Sequence, residues 1–368
     1  MARHGVLPTR QRSVGFSILG VIGEILLTLA AVCALYIAWQ LWWTGVVAER
    51  TQMETRQTVS WSDPASSGSG TQVAQPQQGD PPVQPSVVTD GSLVAQLYIP
   101  RFGLNWQRNI VEGISAEQLA KHGLGHYPTS QLPGQIGNFA IAGHRGGYGE
   151  PLAYVDQLQE GDPIIIRTQD YWYVYRYTKY KITVPEDVAV VSPDPFNVGA
   201  TPTHRYITLT TCEPRYSPTP ATHRWISWGE LDYWAKVSDG VPKELAATDS
   251  SGQVKFAVQE TPSVFARVSS LTDVLMWVMI AYVVIYLAAL VAWRYPALRS
   301  IREGERPRPD ASLYGWLLRR QPGPVVIQLL LVAILAFAGA VALFQWAFPW
   351  LASNVPMFQL MSAYVSVE

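Results

Sequence analysis

The chain has 368 residues, of which 48% are hydrophobic and only 15% are charged, and its formal net charge is −1 at pH 7. Soluble domains carry about 25% charged residues, so the deficit indicates long membrane-embedded segments. The near-zero net charge provides no electrostatic basis for binding a polyanion, and we expect no nucleic-acid partner.

Three apolar segments divide the chain. Residues 18–43 carry Glu24 as their only charge, while residues 274–293 and 325–348 carry none. Each is long enough to cross a hydrocarbon core of about 30 Å as a helix. The first segment ends in tryptophans typical of an interfacial belt and lacks a small-x-small cleavage site. We therefore interpret it as an uncleaved anchor and not as a signal peptide.

The basic residues favour one orientation. Residues 1–12 contain three arginines and no acid, and residues 294–320 contain seven arginines. Positive charge favours the cytoplasmic side of a membrane. We therefore expect a multi-pass cell-membrane protein whose residues 44–270 lie on the extracytoplasmic face.

The composition changes again between the spans. Residues 51–91 are rich in Ser, Gln, Pro and Gly, and such a segment cannot bury enough apolar surface to offset its ordering entropy. We interpret it as a flexible tether, with a shorter one over 242–262. The expected division is a cytoplasmic N-terminus (1–17), a transmembrane helix (18–43), an extracytoplasmic linker (44–91), a β domain (92–240), a second linker (241–270), a second transmembrane helix (271–293), a basic cytoplasmic loop (294–324), a third transmembrane helix (325–348) and a short extracytoplasmic tail (349–368).

The β domain is predicted from short alternating runs separated by turn residues. A helix is expected only from Ser115 to Lys121 in the first half, with Ser115 as its N-cap. Regular strands at this spacing predict a closed or nearly closed β-barrel of roughly 140 residues. Strands are predicted at 94–99, 138–144, 164–168, 171–177, 181–184, 206–212 and 224–231, with a hairpin turn at Gln169-Asp170.

One of the two cysteines lies outside the apolar segments. Cys33 is inside the first span, whereas Cys212 ends the predicted strand 206–212 and is followed by Glu213-Pro214. A lone extracytoplasmic cysteine cannot form an intramolecular disulfide. On these grounds a reactive thiol and an inert buried thiol remain equal alternatives.

A cysteine nucleophile needs a low-pKa thiolate or a neighbouring base, and its reaction needs a group that stabilises an oxyanion. Of the five histidines in the expected extracytoplasmic part of the chain, His144 ends a predicted strand and precedes the glycine-rich loop 145–149. It could meet Cys212 at one mouth of a barrel. We interpret three other histidines as solvated loop or rim residues: His126, His204 and His223.

Three features together resemble the sortase family of cysteine transpeptidases. They are the run Thr208–Cys212, an arginine twelve residues later at Arg224, and the earlier sequence Gly143-His144-Arg145. The similarity covers residues 93 to about 234. Further similarity to the class E sortases of high-GC Gram-positive bacteria lies in His126-Tyr127-Pro128, Cys212–Tyr216 and Trp42-Trp43-Thr44.

The resemblance implies an all-β barrel of seven or eight strands and a substrate class. Members cleave a C-terminal sorting signal between Thr and Gly and join the threonine carbonyl to an amine. For class E the implied signal is Leu-Ala-x-Thr-Gly and not the commoner Leu-Pro-x-Thr-Gly. The implied partners are secreted proteins carrying the signal, membrane lipid, and an amine of a lipid-linked peptidoglycan precursor. We expect no cofactor and no metal site.

The resemblance also assigns roles. Cys212 would attack the threonine carbonyl, His144 would protonate the leaving amine and deprotonate the incoming one, and Arg224 would stabilise the oxyanion. Arg215 and Arg205 are rivals for the arginine role, and Arg224 is preferred because it begins a strand. Three residues are expected to border the substrate groove: Tyr127, Thr211 and Leu209.

Several alternatives stay open. A class C-like sortase would use a pilin lysine as the acceptor. The two C-terminal spans weakly favour this alternative. A plain cysteine protease would use water, and a membrane scaffold would keep the barrel without catalysis. A peptidoglycan L,D-transpeptidase expects Ser-His-Gly before its cysteine, whereas Thr210-Thr211 stands here.

Overall fold

The computed structural model describes residues 14–61, 72–216, 221–248, 250, 253–258, 263–267, 270–306, 309–355 and 358. Most of the expected cytoplasmic N-terminus and the end of the expected tail lie outside these residues. The chain forms two compact units, one of residues 1–39 with 268–351 and the other of residues 40–267 with 352–368.

Three helical stretches are long and apolar enough to cross a membrane: Ser17–Gln57, Leu271–Trp293 and Val325–Asn354. They include the three predicted spans. The helices of the chain are α1 (Val14–Ala38), α2 (Thr44–Gln57), α3 (Ala116–His122), α4 (Leu271–Trp293), α5 (Pro296–Arg302), α6 (Leu313–Arg319), α7 (Val325–Ala342) and α8 (Phe348–Asn354), with π-helical turns at Trp39–Trp43 and Leu343–Ala347.

The single charge of the first apolar segment has specific partners. The carboxylate of Glu24 accepts hydrogen bonds from the hydroxyl of Ser312 (2.7 Å) and the backbone N–H of Leu313 (2.6 Å), where α6 begins. The first N–H groups of a helix lack partners within the helix, so a carboxylate satisfies them well. Glu24 therefore joins α1 to α6.

The second unit contains a closed barrel of eight strands, which confirms the predicted barrel. Around the barrel the strands follow the order β1-β2-β3-β4-β7-β8-β6-β5, and β5 closes onto β1. The pairs β2/β3 and β4/β7 are parallel, and the other pairs are antiparallel. The strands are β1 (Leu93–Tyr98), β2 (Gln107–Glu112), β3 (Leu124–His126), β4 (Gly137–Gly143), β5 (Pro163–Arg167), β6 (Tyr171–Thr183), β7 (Arg205–Glu213) and β8 (His223–Lys236).

The predicted strands agree with the barrel except in two respects: two predicted strands form one, and the strands β2 and β3 are additional. The runs 171–177 and 181–184 form the single strand β6, because pairing with β8 continues past a register shift between Tyr177 and Lys179. Strands β2 and β3 were not predicted. The N-cap of α3 is as expected, since the side chain of Ser115 accepts from the backbone N–H of Gln118 (3.2 Å).

The expected second linker is folded against the outside of the barrel where it is described. Val241, Leu245 and Phe256 are buried against the outer face that carries Tyr98 and Trp172. Ala246–Thr248 and Val254–Phe256 form a two-stranded sheet, β9 and β10. These apolar side chains cover a sheet face that would otherwise be exposed, which a composition count over 242–262 does not reveal.

The expected first linker also begins with a packed element. Residues 44–57 form α2, which buries Thr44, Val46, Ala48 and Gln52. The Oε1 atom of Gln52 accepts from the backbone N–H of Asn109 (2.5 Å), and its Nε2 atom donates to the carbonyl of His122. Gln52 therefore binds backbone groups of β2 and α3, and this end of the expected linker is packed and not a tether.

Replacing Gln52 tests this docking. Gln52→Ala leaves the buried N–H of Asn109 and the carbonyl of His122 without these partners, and we expect local opening to become easier by about 2 kcal/mol. Hydrogen exchange of residues 107–112 in the full-length protein measures the change. Gln57→Ala, at the exposed end of α2, serves as the control. Equal exchange in the two variants would contradict the docking.

Candidate active site

The parallel pairing of β4 with β7 brings the histidine and cysteine strands together. Ala142 lies opposite Thr210, and the hydroxyl of Thr211 donates to the carbonyl of Gly143 (2.7 Å). His144 follows Gly143 directly, and Cys212 follows Thr211. Because the two strands run in the same direction, both residues stand at the same end of the barrel.

The antiparallel pairing of β7 with β8 supplies the arginine. Cys212 lies directly opposite Arg224 in this ladder, and opposed Cβ atoms of an antiparallel pair are about 5 Å apart. Arg224 is buried, and its Nη1 atom donates to the carbonyls of Ala221 (3.2 Å) and His223 (3.0 Å). The guanidinium is therefore held beside the thiol by its own end of β8.

A second arginine lies near the thiol. Arg145 forms ion pairs with Glu213 and with Asp156 (3.4 Å), and its guanidinium lies 5.0 Å from the ring centre of Trp225. Glu213 adjoins Cys212 in the chain. Arg145 was not singled out by the sequence, although its position next to His144 in Gly-His-Arg is a signal that would have found it.

Burial dominates the protonation of the two reactive groups. It raises the pKa of the Cys212 thiol above its ordinary value, and the positive charges of Arg224 and Arg145 oppose that rise. Burial also lowers the pKa of His144 to about 4. At neutral pH the imidazole is therefore uncharged and can accept a proton, while most of the thiol is protonated.

A narrow slot adjoins Arg224. Tyr127, Thr210 and Ile226 line it together with the segment 183–191, and it holds only about 10 Å³ of accessible space. The hydroxyls of Tyr127 and Thr210 are hydrogen-bonded to each other (2.9 Å). Tyr127, expected at the groove, therefore lies at this slot. Thr210 shares the slot and was missed, although alternation along a strand puts it on the face of Cys212.

The other two groove residues lie on the opposite face of β7. Leu209 is fully buried in the hydrophobic core with Ile141 and Ile207, so its expected role at the substrate groove is wrong. Thr211 is likewise fully buried and bonds to Gly143. Successive side chains of a strand point to opposite faces, so Thr211 and Leu209, one and three residues before Cys212, point away from the face of Cys212. Thr211 joins β7 to β4.

The remaining histidines differ from the expectation in one case. His126 is buried in β3, where its ring is hydrogen-bonded to Glu112 (2.7 Å) and stacked on Phe139, so it is not a rim residue. His204 and His223 are exposed. The rival Arg215 is paired with Glu150 and contacts the rings of Tyr154 and Tyr216.

The loop after His144 is closely held. The rings of His144 and Tyr148 lie 5.0 Å apart between centres, and the backbone N–H of Tyr148 donates to the hydroxyl of Thr44 in α2 (3.0 Å). The N–H of Leu152 donates to the carbonyl of His144 (3.1 Å). Within the described ranges, no group of three His, Cys, Asp or Glu side chains is arranged to hold a metal ion.

A thiol, an imidazole and a guanidinium at one end of a closed barrel are the groups expected of a cysteine-dependent acyl-transfer enzyme. Comparison with known proteins gives the family. A family model described as the sortase domain matches residues 97–232. Sortase SrtE2 of Streptomyces coelicolor is 32% identical over 237 residues, which cover 61% of this chain and 87% of that protein. The chain belongs to the sortase family.

One more relative and two solved structures are also similar to the chain. Sortase SrtE1 of the same organism is 33% identical over 235 residues, which cover 61% of this chain and 60% of that protein, so the match spans less than two thirds of its length. Sortase E from Streptomyces avermitilis is 42% identical, with 43% of this chain and 99% of that chain covered and a TM-score of 0.38. The SrtA sortase from Actinomyces oris is 36% identical, with 52% and 99% covered and a TM-score of 0.43.

The raised pKa of Cys212 predicts a particular pH dependence of alkylation. The test uses the full-length protein with Cys33→Ala, so that Cys212 is the only thiol. Because the thiolate is the nucleophile, the rate with iodoacetamide should rise about tenfold per pH unit from pH 7 to 8.5. Mass spectrometry of the intact protein measures the extent of alkylation over time.

The arginine variants provide the control for this measurement. Arg224→Ala removes a charge that favours the thiolate, so alkylation at pH 7.5 should slow, whereas Arg224→Lys should keep most of the rate. A rate that is already constant below pH 7 would contradict the raised pKa.

Proposed function

We propose that this protein is a membrane-anchored transpeptidase that cleaves a C-terminal sorting signal between Thr and Gly and transfers the threonyl group to an amine. The observation that carries the proposal is the register of β7, which sets Cys212 opposite Arg224 and beside the end of the His144 strand. Membership of the sortase family supports the reaction class.

In the first half-reaction, the sulfur of Cys212 bonds to the carbonyl carbon of threonine as its proton passes to His144. The uncharged imidazole that follows from its low pKa is the form required to take that proton. The carbonyl oxygen becomes an oxyanion, which Arg224 stabilises because a guanidinium keeps its charge at working pH. The C–N bond then breaks, and His144 returns the proton to the glycine amine.

In the second half-reaction, an amine attacks the thioester that joins threonine to Cys212. His144 takes a proton from the attacking nitrogen, and Arg224 again faces the oxyanion. The C–S bond breaks, a new amide forms, and the departing sulfur takes the proton back from His144 to give the thiol. The product is a secreted protein joined through its threonine to the acceptor.

The slot beside Arg224 supports a substrate with a small apolar side chain. Its wall is mostly apolar, with Val188, Val190, Val191 and Ile226 among its residues. At about 10 Å³ it has room for about one water molecule, so a side chain larger than a methyl group would enter only if the segment 183–191 moved outward. We assign Tyr127 to the choice between alanine and proline in the signal, since its hydroxyl is held by Thr210 within the slot.

We further propose that the reaction takes place outside the cytoplasm. The arginines of residues 294–320 support this orientation, and the three long apolar helices support membrane anchoring. The substrates would be secreted proteins with a Leu-Ala-x-Thr-Gly signal, and the acceptor would be an amine of a lipid-linked peptidoglycan precursor. A pilin lysine is the alternative acceptor.

Cleavage of quenched peptides by the purified full-length protein tests the proposal. We expect faster cleavage of Leu-Ala-x-Thr-Gly than of Leu-Pro-x-Thr-Gly, and a ligated product when an amine is added. Tyr127→Phe should narrow the difference between the two peptides.

The controls separate the steps. Cys212→Ala should abolish cleavage, and cleavage that survives it would exclude the nucleophile. Hydrolysis without ligation at any amine concentration would point to a protease. Faster turnover of the proline peptide would contradict the assignment of the signal.

A further inference from the structure

The helix α2 contacts the loop that follows His144. The hydroxyl of Thr44 accepts from the backbone N–H of Tyr148 (3.0 Å) and donates to the carbonyl of Gln40 (2.7 Å). Thr44 is buried. One side chain of the helix that continues the first apolar segment is therefore bonded to a backbone group four residues after His144.

The loop after His144 lies close to α2 and to the turn before it. A Cβ atom on Gly149 would lie 3.0 Å from the Cβ atom of Ala48, and one on Gly147 would lie 3.1 Å from Nε2 of Gln40. Both glycines have positive φ, at +81° and +74°. At Gly149 a side chain would press on Ala48, so the loop approaches α2 through a glycine there.

The residue between these glycines is itself in an unusual conformation. Tyr148 has φ of +50°, in the left-handed region that costs a bulky residue free energy and persists only where the surroundings hold it. The bond to Thr44 is such a restraint. In this conformation the Tyr148 ring lies against the His144 imidazole, 5.0 Å between centres and tilted by 30°.

We propose that Thr44 and Tyr148 are positioning residues, through which the helix after the membrane anchor holds the catalytic histidine. This deepens the proposed function and rests on it for the acid–base role of His144. The bond from Thr44 keeps Tyr148 over the imidazole, which excludes water from the ring and fixes its orientation beside Cys212. The same cover accounts for part of the burial that lowers the pKa of His144.

The alternative is that α2 only supports the fold. Its contacts with Asn109 and His122 through Gln52 serve that purpose. They lie on β2 and α3 and do not involve the loop after His144. A purely supporting helix would tolerate the loss of the Thr44 hydroxyl with no local change at the imidazole.

The test measures modification of His144 by diethyl pyrocarbonate in the full-length protein, read by peptide mass spectrometry at pH 7. The reagent attacks uncharged imidazole, so its rate follows how often the Tyr148 cover opens. Thr44→Val removes both hydrogen bonds of the hydroxyl, of which the one from Tyr148 holds the loop and the one to Gln40 lies within the helical segment, and it keeps the shape of the side chain. We expect modification of His144 to rise about fivefold, which corresponds to about 1 kcal/mol, the usual net value of one hydrogen bond.

Two matched variants isolate the bond. Thr51→Val makes the same change on the same helix, at a residue outside these contacts, and should leave the rate unchanged. Thr44→Ser keeps the hydroxyl and should return the rate to near the wild-type value. Equal rates for Thr44→Val and Thr51→Val would overturn the proposal.

A second pair of variants tests the contact of α2 with the loop independently. Gly149→Ala places a Cβ atom against Ala48, whereas Gly161→Ala meets nothing within 4 Å at a similar φ of +88°. Both variants carry the backbone cost of a positive φ, and only Gly149→Ala also presses on α2. Only Gly149→Ala should therefore raise the rate of His144 modification and lower kcat, with little change in KM. Adding Ala48→Gly to Gly149→Ala should reverse part of the effect. The same response in both glycine variants would overturn the proposal.

The modification assay does not depend on turnover. If the wild-type protein cleaves no sorting peptide but Thr44→Val still exposes His144 selectively, the proposed function fails and the positioning of His144 stands. If peptides are cleaved and Thr44→Val changes neither the modification rate nor kcat, the proposed function stands and the positioning role is overturned.

Discussion

The site depends on the register of one central strand. β7 pairs in parallel with β4 and antiparallel with β8, and both pairings are fixed over at least six residue pairs. A slip of one residue in either ladder would turn Cys212 toward the opposite face, because side chains alternate along a strand. The hydrophobic core opposes such a slip, since it would expose Ile207 and Leu209, which are fully buried. The residues that stabilise the barrel therefore also set the geometry of the reactive groups.

The same packing sets the electrostatics of the site. Burial favours the uncharged forms of the Cys212 thiol and the His144 imidazole at neutral pH. It therefore opposes an ion pair between a thiolate and an imidazolium. Two guanidiniums favour the thiolate, but Arg145 is partly compensated by Glu213 and Asp156. This arrangement leaves Arg224 as the charge that faces the thiol across the ladder. In the proposed reaction, His144 takes the proton of the Cys212 thiol.

Much of the site could be predicted because its chemistry is local in sequence. The strand before Cys212, the glycine before His144 and the arginine at the start of β8 carry their roles in a few residues each. The strands of the barrel could be predicted from short alternating runs separated by turn residues. The expectations that Leu209 and Thr211 border the groove could have been corrected from the sequence. Side chains alternate along a strand, so Thr210, two residues before Cys212, is the one that shares its face.

Other features could not be read from the sequence because they depend on contacts between distant residues. The polar composition of α2 resembles a tether, and only the partners of Gln52 and Thr44 on the barrel show why it is ordered. His126 looks like a loop residue until Glu112, fourteen positions earlier, is placed against its ring. Arg145 gains its significance from Glu213, which is 68 residues away.

The proposed function rests on a covalent bond between Cys212 and the threonine of a sorting signal. Acid quenching of the full-length protein with a Leu-Ala-x-Thr-Gly peptide and no amine, followed by intact and peptide mass measurement, tests this claim directly. We expect an adduct at Cys212 whose mass corresponds to the peptide up to and including its threonine. Hydroxylamine should release it, and Cys212→Ala should lack it. An adduct on another residue, or peptide cleavage with no adduct at any quench time, would contradict it.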